Sequence, residues 1–372
     1  MRRKEYGNTG KMVTPVGFGA MRFIKEDYTN NKEKCADLVK YAYSKGINYF
    51  DTAPRYCEWQ SEVILGMAFQ EMKRDDIVIS TKVMADDSRN AENTYEIICH
   101  SLETMKIDKL DICHIWSVKT FPQMQKVMSK GGVYEGMLKA KEEGLIDVIS
   151  FSTHMAGDDI ARAAKEYGDK FSGVLLGYNA MNYTYREAGI NAFADLGKGI
   201  VIMNPLGGGL IPQNKDKFIE ISRNGDPVIL SALKFLTSQS RITTVLSGMT
   251  TKEEVDLNVQ AAENLYDEAE IMEEIATHSV KCGGFNEVCT LCSYCNYCPV
   301  GISPHKMMFA YNQKIMGNGD QGVLNQFNWH FSMDPRESRK CIGCKKCEQL
   351  CTQKLPIVER IKDIQRIIAD LD

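Results

Sequence analysis

Eight short runs of strand-forming residues recur between residues 15 and 265, and segments with helical periodicity lie between them. Many of these segments end in the Lys-Gly or Glu-Gly pairs that close helices. Strand–helix alternation over about 250 residues is typical of a barrel of parallel strands. We therefore expect an α/β fold that begins with a (β/α)8 TIM barrel. The eight runs occupy residues 16–21, 47–53, 76–83, 110–118, 146–154, 171–179, 199–205 and 242–249.

The two ends of the chain depart from this repeat. Two short runs flank residues 7–10, which predicts a β-hairpin ahead of the first strand. After about residue 282 the strand-like runs stop, and residues 266–282 predict a helix that leads into the last part of the chain. We assign residues 1–275 to the barrel and residues 276–372 to a second, mostly helical domain.

Two cysteine motifs dominate the second domain. Residues 289–299 read C-x2-C-x2-C-x2-C-P, and residues 341–351 read C-x2-C-x2-C-x3-C. A large chain with nine of its 13 cysteines after residue 281 favours metal ligation over disulfides. In two-cluster ferredoxins, three cysteines in series ligate one [4Fe–4S] cluster and the fourth reaches its neighbour. Zinc is the alternative, but its sites usually combine two separated C-x2-C pairs. The motifs therefore predict a ferredoxin-like domain with two [4Fe–4S] clusters.

The same logic predicts a crossed pairing of cysteines with clusters. One cluster would use Cys289, Cys292, Cys295 and Cys351, and the other would use Cys341, Cys344, Cys347 and Cys298. The first motif departs from the bacterial pattern, since it has x2 where x3 precedes the last cysteine. The remaining cysteines are interpreted as packed thiols; they are Cys35, Cys57, Cys99, Cys113 and Cys282.

Composition narrows the class of partner. The net charge of −4 gives no electrostatic basis for binding nucleic acid or an anionic membrane. The opening MRRKEYGNTGKMVTP has basic residues but no apolar segment behind them, unlike a secretory signal. No apolar run approaches the roughly 20 residues of a membrane span. We expect a cytoplasmic protein that acts on a small molecule.

Polar residues at the strand ends indicate where chemistry occurs, because barrel active sites lie at the C-terminal ends of the strands. Asp51 ends the second run, Tyr56 follows five residues later, and Lys82 lies near the end of the third run. An ammonium beside a phenol lowers the phenol's pKa, and a carboxylate holds the ammonium in place. Such a tyrosine can donate a proton to a carbonyl as hydride arrives.

The segments FDTAPRY, STKV and NPLGGG, with LD opening the fourth strand, resemble the aldo/keto reductase family. With the tail cysteines, nearly the whole chain is similar to the branch that carries a C-terminal ferredoxin domain. The resemblance implies reduction of aldehydes and ketones with a nicotinamide cofactor, and it makes Asp51, Tyr56 and Lys82 catalytic.

The family's fourth catalytic residue, a histidine, is replaced here by Trp116. The indole has a single N–H donor and cannot relay a proton. His114 lies two residues earlier and is either a displaced partner of Tyr56 or a hydrogen-bonded core histidine.

The resemblance also implies a nicotinamide pocket, which differs from the family pattern in several places. Met203 replaces an aromatic ring, Ser152 and Thr153 replace a Ser-Asn pair, and Leu175 replaces a glutamine. Thr250 occupies the position at which the family often has an arginine that binds the 2′-phosphate of NADP. The resemblance therefore leaves open whether the chain binds NADP, NAD or neither. The Gly-rich loops are either phosphate cradles or tight turns. The expected cofactor-binding residues are Ser152, Thr153, Met203, Asn204, Leu206, Gly207, Gly248, Thr250 and Asn258.

Three hypotheses follow for the two domains together. In the first, an NAD(P)H-dependent reductase exchanges electrons with the clusters and with a ferredoxin, a flavodoxin or another redox partner. In the second, the barrel has lost nicotinamide chemistry and takes electrons from the clusters alone. In the third, the clusters only stabilise the tail, because ligation energy is also folding energy. Two linked clusters are more than the stabilisation of the tail requires, so electron transfer is favoured over a purely structural role.

Overall fold

The computed structural model describes residues 1–85, 90–281, 285–331 and 333–369. Its strands are β1 (Lys4–Glu5), β2 (Met12–Val13), β3 (Val16–Gly19), β4 (Tyr49–Asp51), β5 (Val78–Met84), β6 (Leu110–Val118), β7 (Ile146–Thr153), β8 (Gly173–Gly177), β9 (Gly199–Met203) and β10 (Thr244–Ser247). Its α-helices in the barrel part are α1 (Lys25–Asn30), α2 (Lys32–Ser44), α3 (Ser61–Phe69), α4 (Ala91–Met105), α5 (Phe121–Val127), α6 (Val133–Glu142), α7 (Gly157–Tyr167), α8 (Tyr183–Asp195), α9 (Leu210–Gln213), α10 (Val228–Thr237), α11 (Lys252–Gln260) and α12 (Glu268–Lys281). The later helices are α13 (Pro304–Gln313), α14 (Gly319–Asn325), α15 (Lys346–Gln349) and α16 (Ile357–Ala369).

Strands β3 to β10 form a closed barrel in which neighbours are parallel. Each of the eight predicted runs overlaps one of these strands, so the predicted barrel is confirmed. The second and eighth runs shorten to Tyr49–Asp51 and Thr244–Ser247. The β1–β2 pair is antiparallel, as expected for the hairpin.

The hairpin closes the N-terminal end of the barrel. Tyr6 and Val13 join the apolar cluster inside the strands. The Tyr6 hydroxyl hydrogen-bonds Ser150 at 2.9 Å. A side chain at Gly173 or Gly199 would collide with Tyr6, because its Cβ would lie 2.3 Å from the hydroxyl or 2.8 Å from the ring. The hairpin therefore fills the N-terminal end of the barrel, and the accessible face is the one at the C-terminal ends of the strands.

A second core lies in the last part of the chain. It unites apolar residues of α13, α14 and α16 with Cys289, Cys295 and Cys351. Helix α12 spans the predicted boundary after residue 275 and packs on the barrel through Ile271 and Ile275. Cys282 lies outside the described residues. None of the described helices has the length and apolar character that crossing a membrane requires.

Candidate active site

Asp51 and Lys82 form a buried ion pair on adjacent strands. Lys82 Nζ lies 2.5 Å from Asp51 Oδ2 and donates to the Thr52 carbonyl at 2.6 Å. Ser80 donates to the other carboxylate oxygen at 2.9 Å. Parallel β4 and β5 place both residues at the same end of the barrel. The strand ends therefore hold one ammonium in a fixed position.

The charge of this pair is set by two opposing effects. Burial lowers the pKa of Lys82, but the Asp51 charge and hydrogen bonds more than offset it, so the pKa of Lys82 is raised. Burial also raises the pKa of Asp51, against the effect of Lys82. The 2.5 Å contact supports an ionised pair, in which Lys82 stays protonated.

Tyr56 lies in the loop after β4, with its ring centroid 4.8 Å from Lys82 Nζ. The expectation of a lowered pKa for this tyrosine is wrong. Burial raises the pKa of Tyr56 more than the Lys82 charge and hydrogen bond lower it. Tyr56 therefore stays protonated at neutral pH, which suits a proton donor rather than a phenolate.

Trp116 packs edge-on against Tyr56, with ring centroids 5.4 Å apart and planes at 87°. The residue that replaces the family's histidine thus contacts the expected acid and fixes its ring.

His114 lies deeper, fully buried within β6. Its Nε2 is 3.4 Å from the Tyr49 hydroxyl, and its Nδ1 has no partner among the described residues. Burial, and then the Lys82 charge, hold the pKa of His114 well below its usual range. This arrangement favours the interpretation as a neutral core histidine.

A cavity of about 380 Å³ opens beside Tyr56 and Asp51. Its walls come from the ends of β3, β9 and β10, which are neighbours where the barrel closes. Five expected cofactor-binding residues line it: Met203, Asn204, Leu206, Gly248 and Thr250.

The other four expected residues are engaged elsewhere. Ser152 Oγ accepts from the Ser117 N–H at 3.0 Å, and Thr153 Oγ1 donates to the Val118 carbonyl at 2.7 Å. Asn258 donates to the Glu254 carbonyl at 2.8 Å. A Cβ at Gly207 would lie 2.1 Å from Met181 Cε, so this glycine allows close packing. None of the four lines the cavity.

Sequence reasoning missed several cavity residues, among them Arg22 and Glu254. Arg22 lies over Gly248, where an added Cβ would be 2.5 Å from Arg22 Cγ. Glu254 accepts hydrogen bonds from the Thr250 N–H at 2.6 Å and the Thr250 hydroxyl at 2.9 Å. The sequence did carry a signal for Arg22. This residue comes just after the first barrel strand, and this strand end is next to the loop that follows the eighth barrel strand.

Comparison with known proteins decides the family of this barrel. The model of the aldo/keto reductase family matches residues 15–278. The chain belongs to the aldo/keto reductase family. Relatives in this family are named as reductases and dehydrogenases, so the chain is an oxidoreductase.

The curated relatives match the barrel over most of their length. L-galactose dehydrogenase from Arabidopsis thaliana is 25% identical over 287 residues, which cover 70% of this chain and 87% of that protein. NADH-specific methylglyoxal reductase from Escherichia coli (strain K12) is 26% identical over 331 residues, which cover 74% of this chain and 98% of that protein.

Solved structures support the same fold. The holo form of an aldo-keto reductase from Bacillus halodurans has a TM-score of 0.63 at 20% identity, covering 75% of this chain and 96% of that one. An aldo-keto reductase from Klebsiella pneumoniae, in complex with NADPH, has a TM-score of 0.62 at 16% identity, covering 74% of this chain and 95% of that one. The family match ends at residue 278, before both cysteine motifs.

Three motif cysteines of this aldo/keto reductase, Cys289, Cys295 and Cys351, belong to the second core. The pKa values of Cys289, Cys292 and Cys295 are raised, and Cys351 is among the groups that act on each of them. Burial is the larger cause, and it raises the pKa of Cys289 to about 12. Cys347, which the crossed pairing assigns to the other cluster, also acts on Cys295, so the pairing of cysteines with clusters stays a prediction.

The other four motif cysteines are less closely associated. Cys341 and Cys347 interact electrostatically, and both pack with Cys298 against the second core. Cys344 is exposed. Among the described residues, no three Cys, His, Asp or Glu side chains are arranged to hold a single metal ion.

The first motif lies against the barrel mouth. The Tyr294 ring packs edge-on to His154, which follows β7, with centroids 5.3 Å apart. Lys119, which follows β6, lies 5.2 Å from the centroid of the same tyrosine. An added Cβ at Gly208 in the cavity wall would lie 2.2 Å from Leu291 Cδ1. The segment between Cys289 and Cys295 therefore contacts both the strand ends and the cavity wall.

Proposed function

We propose that this aldo/keto reductase is an iron–sulfur oxidoreductase that reduces a small carbonyl or conjugated substrate. The two electrons of each reduction would come as hydride from NAD(P)H and/or singly through two [4Fe–4S] clusters, in exchange with a ferredoxin, a flavodoxin or another redox partner. The observation that carries the proposal is the contact of Leu291, within the first cysteine motif, with Gly208 of the cavity wall.

Tyr56, Lys82 and Asp51 supply the acid chemistry of this proposal. The Tyr56 ring centre lies 4.8 Å from the Lys82 ammonium, and Tyr56 lines the cavity that would admit the substrate. As a carbonyl oxygen gains negative charge, Tyr56 can deliver its proton, and Lys82 stabilises the resulting phenolate. Asp51 keeps the ammonium in place.

The cavity wall suits a nicotinamide dinucleotide without a 2′-phosphate. Met203 and Leu206 provide apolar surface for a flat ring, and Arg22 brings a cation that can face the pyrophosphate. The Thr250 donors are occupied by the Glu254 carboxylate, which would repel a phosphate at that point. We therefore propose NADH rather than NADPH as the hydride donor.

The thiol chemistry of the tail fits an iron–sulfur cluster. Three free cysteines, Cys289, Cys295 and Cys351, share an apolar core, where burial disfavours isolated thiolates. When bound, such a cluster accepts or donates one electron at a time. The chain's own contribution would be to hold the thiolates, exclude water, and set the cluster beside the cavity.

A second candidate function has its own support. Ser152 and Thr153 bond backbone groups of β6 and do not line the cavity, so two expected contacts to the carboxamide are missing from it. A barrel that takes electrons only from the clusters would need neither contact.

Iron and sulfide analysis of anaerobically purified protein tests the premise. We expect about eight iron and eight sulfide per chain, four for each cluster. Cys292→Ser should lose about half of the iron, whereas Cys113→Ser, a buried thiol outside both motifs, should keep all of it. Zinc without sulfide would contradict the proposal.

Turnover with NADH and a panel of small aldehydes, ketones and enones tests the reaction. Tyr56→Phe should abolish turnover while leaving the iron and sulfide content unchanged. If Tyr56→Phe kept full turnover, Tyr56 would not be the proton donor.

A further inference from the structure

Arg186 is a buried guanidinium with unused hydrogen-bond donors. It lies in the first turn of α8 and has no exposed surface. Its Nη1 donates to the Met155 carbonyl, and its plane lies 4.8 Å from the centre of the Tyr185 ring. Its Nε and Nη2 have no partner among the described residues. Arginine remains charged in proteins, so this is a buried cation.

Within the described part of the chain, the groups that act on this cation are not carboxylates. They are the phenols of Tyr185 and Tyr294 and the thiol of Cys292. A buried charge is costly unless an anion or a metal site compensates it. The spare donors and the Cys292 thiol therefore indicate an anion held at the first cysteine motif.

A [4Fe–4S] cluster on four thiolates is such an anion. Its net charge is −2 when oxidised and −3 after it accepts one electron from a donor. Burial disfavours the more negative form, and a neighbouring cation or a hydrogen bond to sulfur favours it. Cys289, Cys295 and Cys351 share the second core. Tyr185, whose ring faces the Arg186 guanidinium, donates to the Thr352 carbonyl beside Cys351 at 2.6 Å, so Arg186 lies next to this group of thiols.

We propose that Arg186 is a positioning residue that compensates the charge of the cluster on Cys289, Cys292, Cys295 and Cys351 and raises its reduction potential. The inference rests on the proposed function. It also connects the two domains, because Arg186 belongs to the barrel while the cysteines belong to the tail. The Met155 carbonyl fixes the other side of the guanidinium next to His154, which packs on Tyr294.

The test is a redox titration of the anaerobically purified holoenzyme, monitored by electron paramagnetic resonance. Arg186→Gln should lower the potential of one cluster by about 59 mV, which corresponds to a tenfold change in its one-electron reduction equilibrium. The second cluster should keep its potential. Arg186→Lys, which keeps the charge, should shift the potential less. The matched control is Arg241→Gln, which removes a barrel arginine already paired with Glu187 at 2.9 Å.

Each outcome decides the inference. Selective loss of four iron from Arg186→Gln, with the other cluster intact, would support it. Unchanged potentials in fully loaded Arg186→Gln, or a shift equal to that of Arg241→Gln, would overturn it and leave the proposed function standing. Wild-type protein without iron and sulfide would contradict the proposed function and this inference together.

A measurement on the unaltered chain covers the case in which both Arg186 variants lose all iron. Labelling with arginine that carries 15N in the guanidinium should produce a 15N hyperfine coupling at the reduced cluster. A spectrum without that coupling would overturn the inference.

Discussion

At the scale of single residues, the candidate site keeps the proton donor expected for the family, Tyr56, while several residues around it differ from the family pattern. Tyr56 is held by the Lys82 charge on one side and by the Trp116 edge on the other. The raised pKa of Tyr56 makes it a proton donor at neutral pH. The lowered pKa of His114 leaves that side chain neutral in the barrel interior.

Lys82→Met should lower the turnover number by about 10²–10⁴-fold, because the phenolate formed on Tyr56 loses its stabilising charge. The fall of activity at alkaline pH, where Tyr56 loses its proton, should also move to higher pH, since Lys82 lowers the pKa of Tyr56. Steady-state pH profiles measure both effects. Lys234→Met is the control, because it removes a buried ammonium paired with Asp226 away from the cavity. Equal losses in the two variants would exclude a specific role for Lys82.

His114→Gln should retain turnover but change the dependence of stability on pH. The folded-state pKa of His114 lies below its unfolded value of about 6.5, so unfolding takes up a proton as the pH falls below 6.5. Native His114 should cost about 2 kcal/mol of stability between pH 7 and pH 5, and the variant should lack this part of the loss. Urea unfolding at both pH values measures the difference. Loss of turnover without the change in pH dependence would make His114 a partner of Tyr56 instead.

Glu254→Lys should shift the preference from NADH toward NADPH. The change replaces the carboxylate on the Thr250 donors with a cation, and a gain of about 1–2 kcal/mol would raise the NADPH/NADH ratio of kcat/KM roughly 5–30-fold. Glu253→Lys, its neighbour outside the cavity wall, should leave the ratio unchanged. If the ratio were unchanged in Glu254→Lys, the 2′-hydroxyl of the bound nucleotide would lie away from Glu254.

At the scale of elements, the barrel was predictable and the cavity only partly so. Apolar runs such as residues 110–118 produce strands because both faces of a parallel barrel strand are buried. The strand ends then place Asp51 and Lys82 together by geometry alone. Glu254 could not be identified in this way, because its place depends on how a loop folds over the closing strands, and for Arg22 the only signal was its position just after the first barrel strand.

Arg186 shows a second limit of sequence reasoning. The segment YTYREAGI has the polar and charged residues of an exposed helix start, yet Arg186 is fully buried. Its burial depends on contacts distant in sequence, both with the barrel through the Met155 carbonyl and with the tail that packs against α8. One such contact is the hydrogen bond from the Tyr185 hydroxyl to the Thr352 carbonyl at 2.6 Å.

The loop of the second motif, residues 339–346, is a basic exposed surface around Cys344. Ile342 at its centre is 65% exposed. Lys345→Glu combined with Lys346→Glu should raise the KM for an acidic carrier such as a ferredoxin or flavodoxin, and added salt should reduce the difference from wild type. Lys165→Glu, on the exposed face of α7, is the control. Stopped-flow reduction by the carrier measures the effect, and equal rates in all three proteins would contradict docking at this loop.

At the scale of the whole molecule, two cores share one boundary at the mouth of the barrel. The family match covers the barrel, and the cysteine motifs lie beyond it. The described contacts that join the parts include Leu291 on Gly208, Tyr294 on His154 and Gln313 on Gln213. The crossed pairing of Cys289, Cys292, Cys295 and Cys351 with one cluster stays a prediction. The contacts of the first motif with His154 and Gly208 are what supports the proposed exchange of electrons.

The central claim is that the cavity and the clusters exchange electrons. The direct measurement is an anaerobic titration of iron-loaded protein with NADH and then NADPH, following the visible absorbance of the clusters. We predict bleaching by NADH, and weaker or slower bleaching by NADPH. Clusters that remain oxidised with both nucleotides, yet are reduced by a stronger donor such as dithionite, would contradict the claim and favour a barrel that receives electrons from the clusters alone.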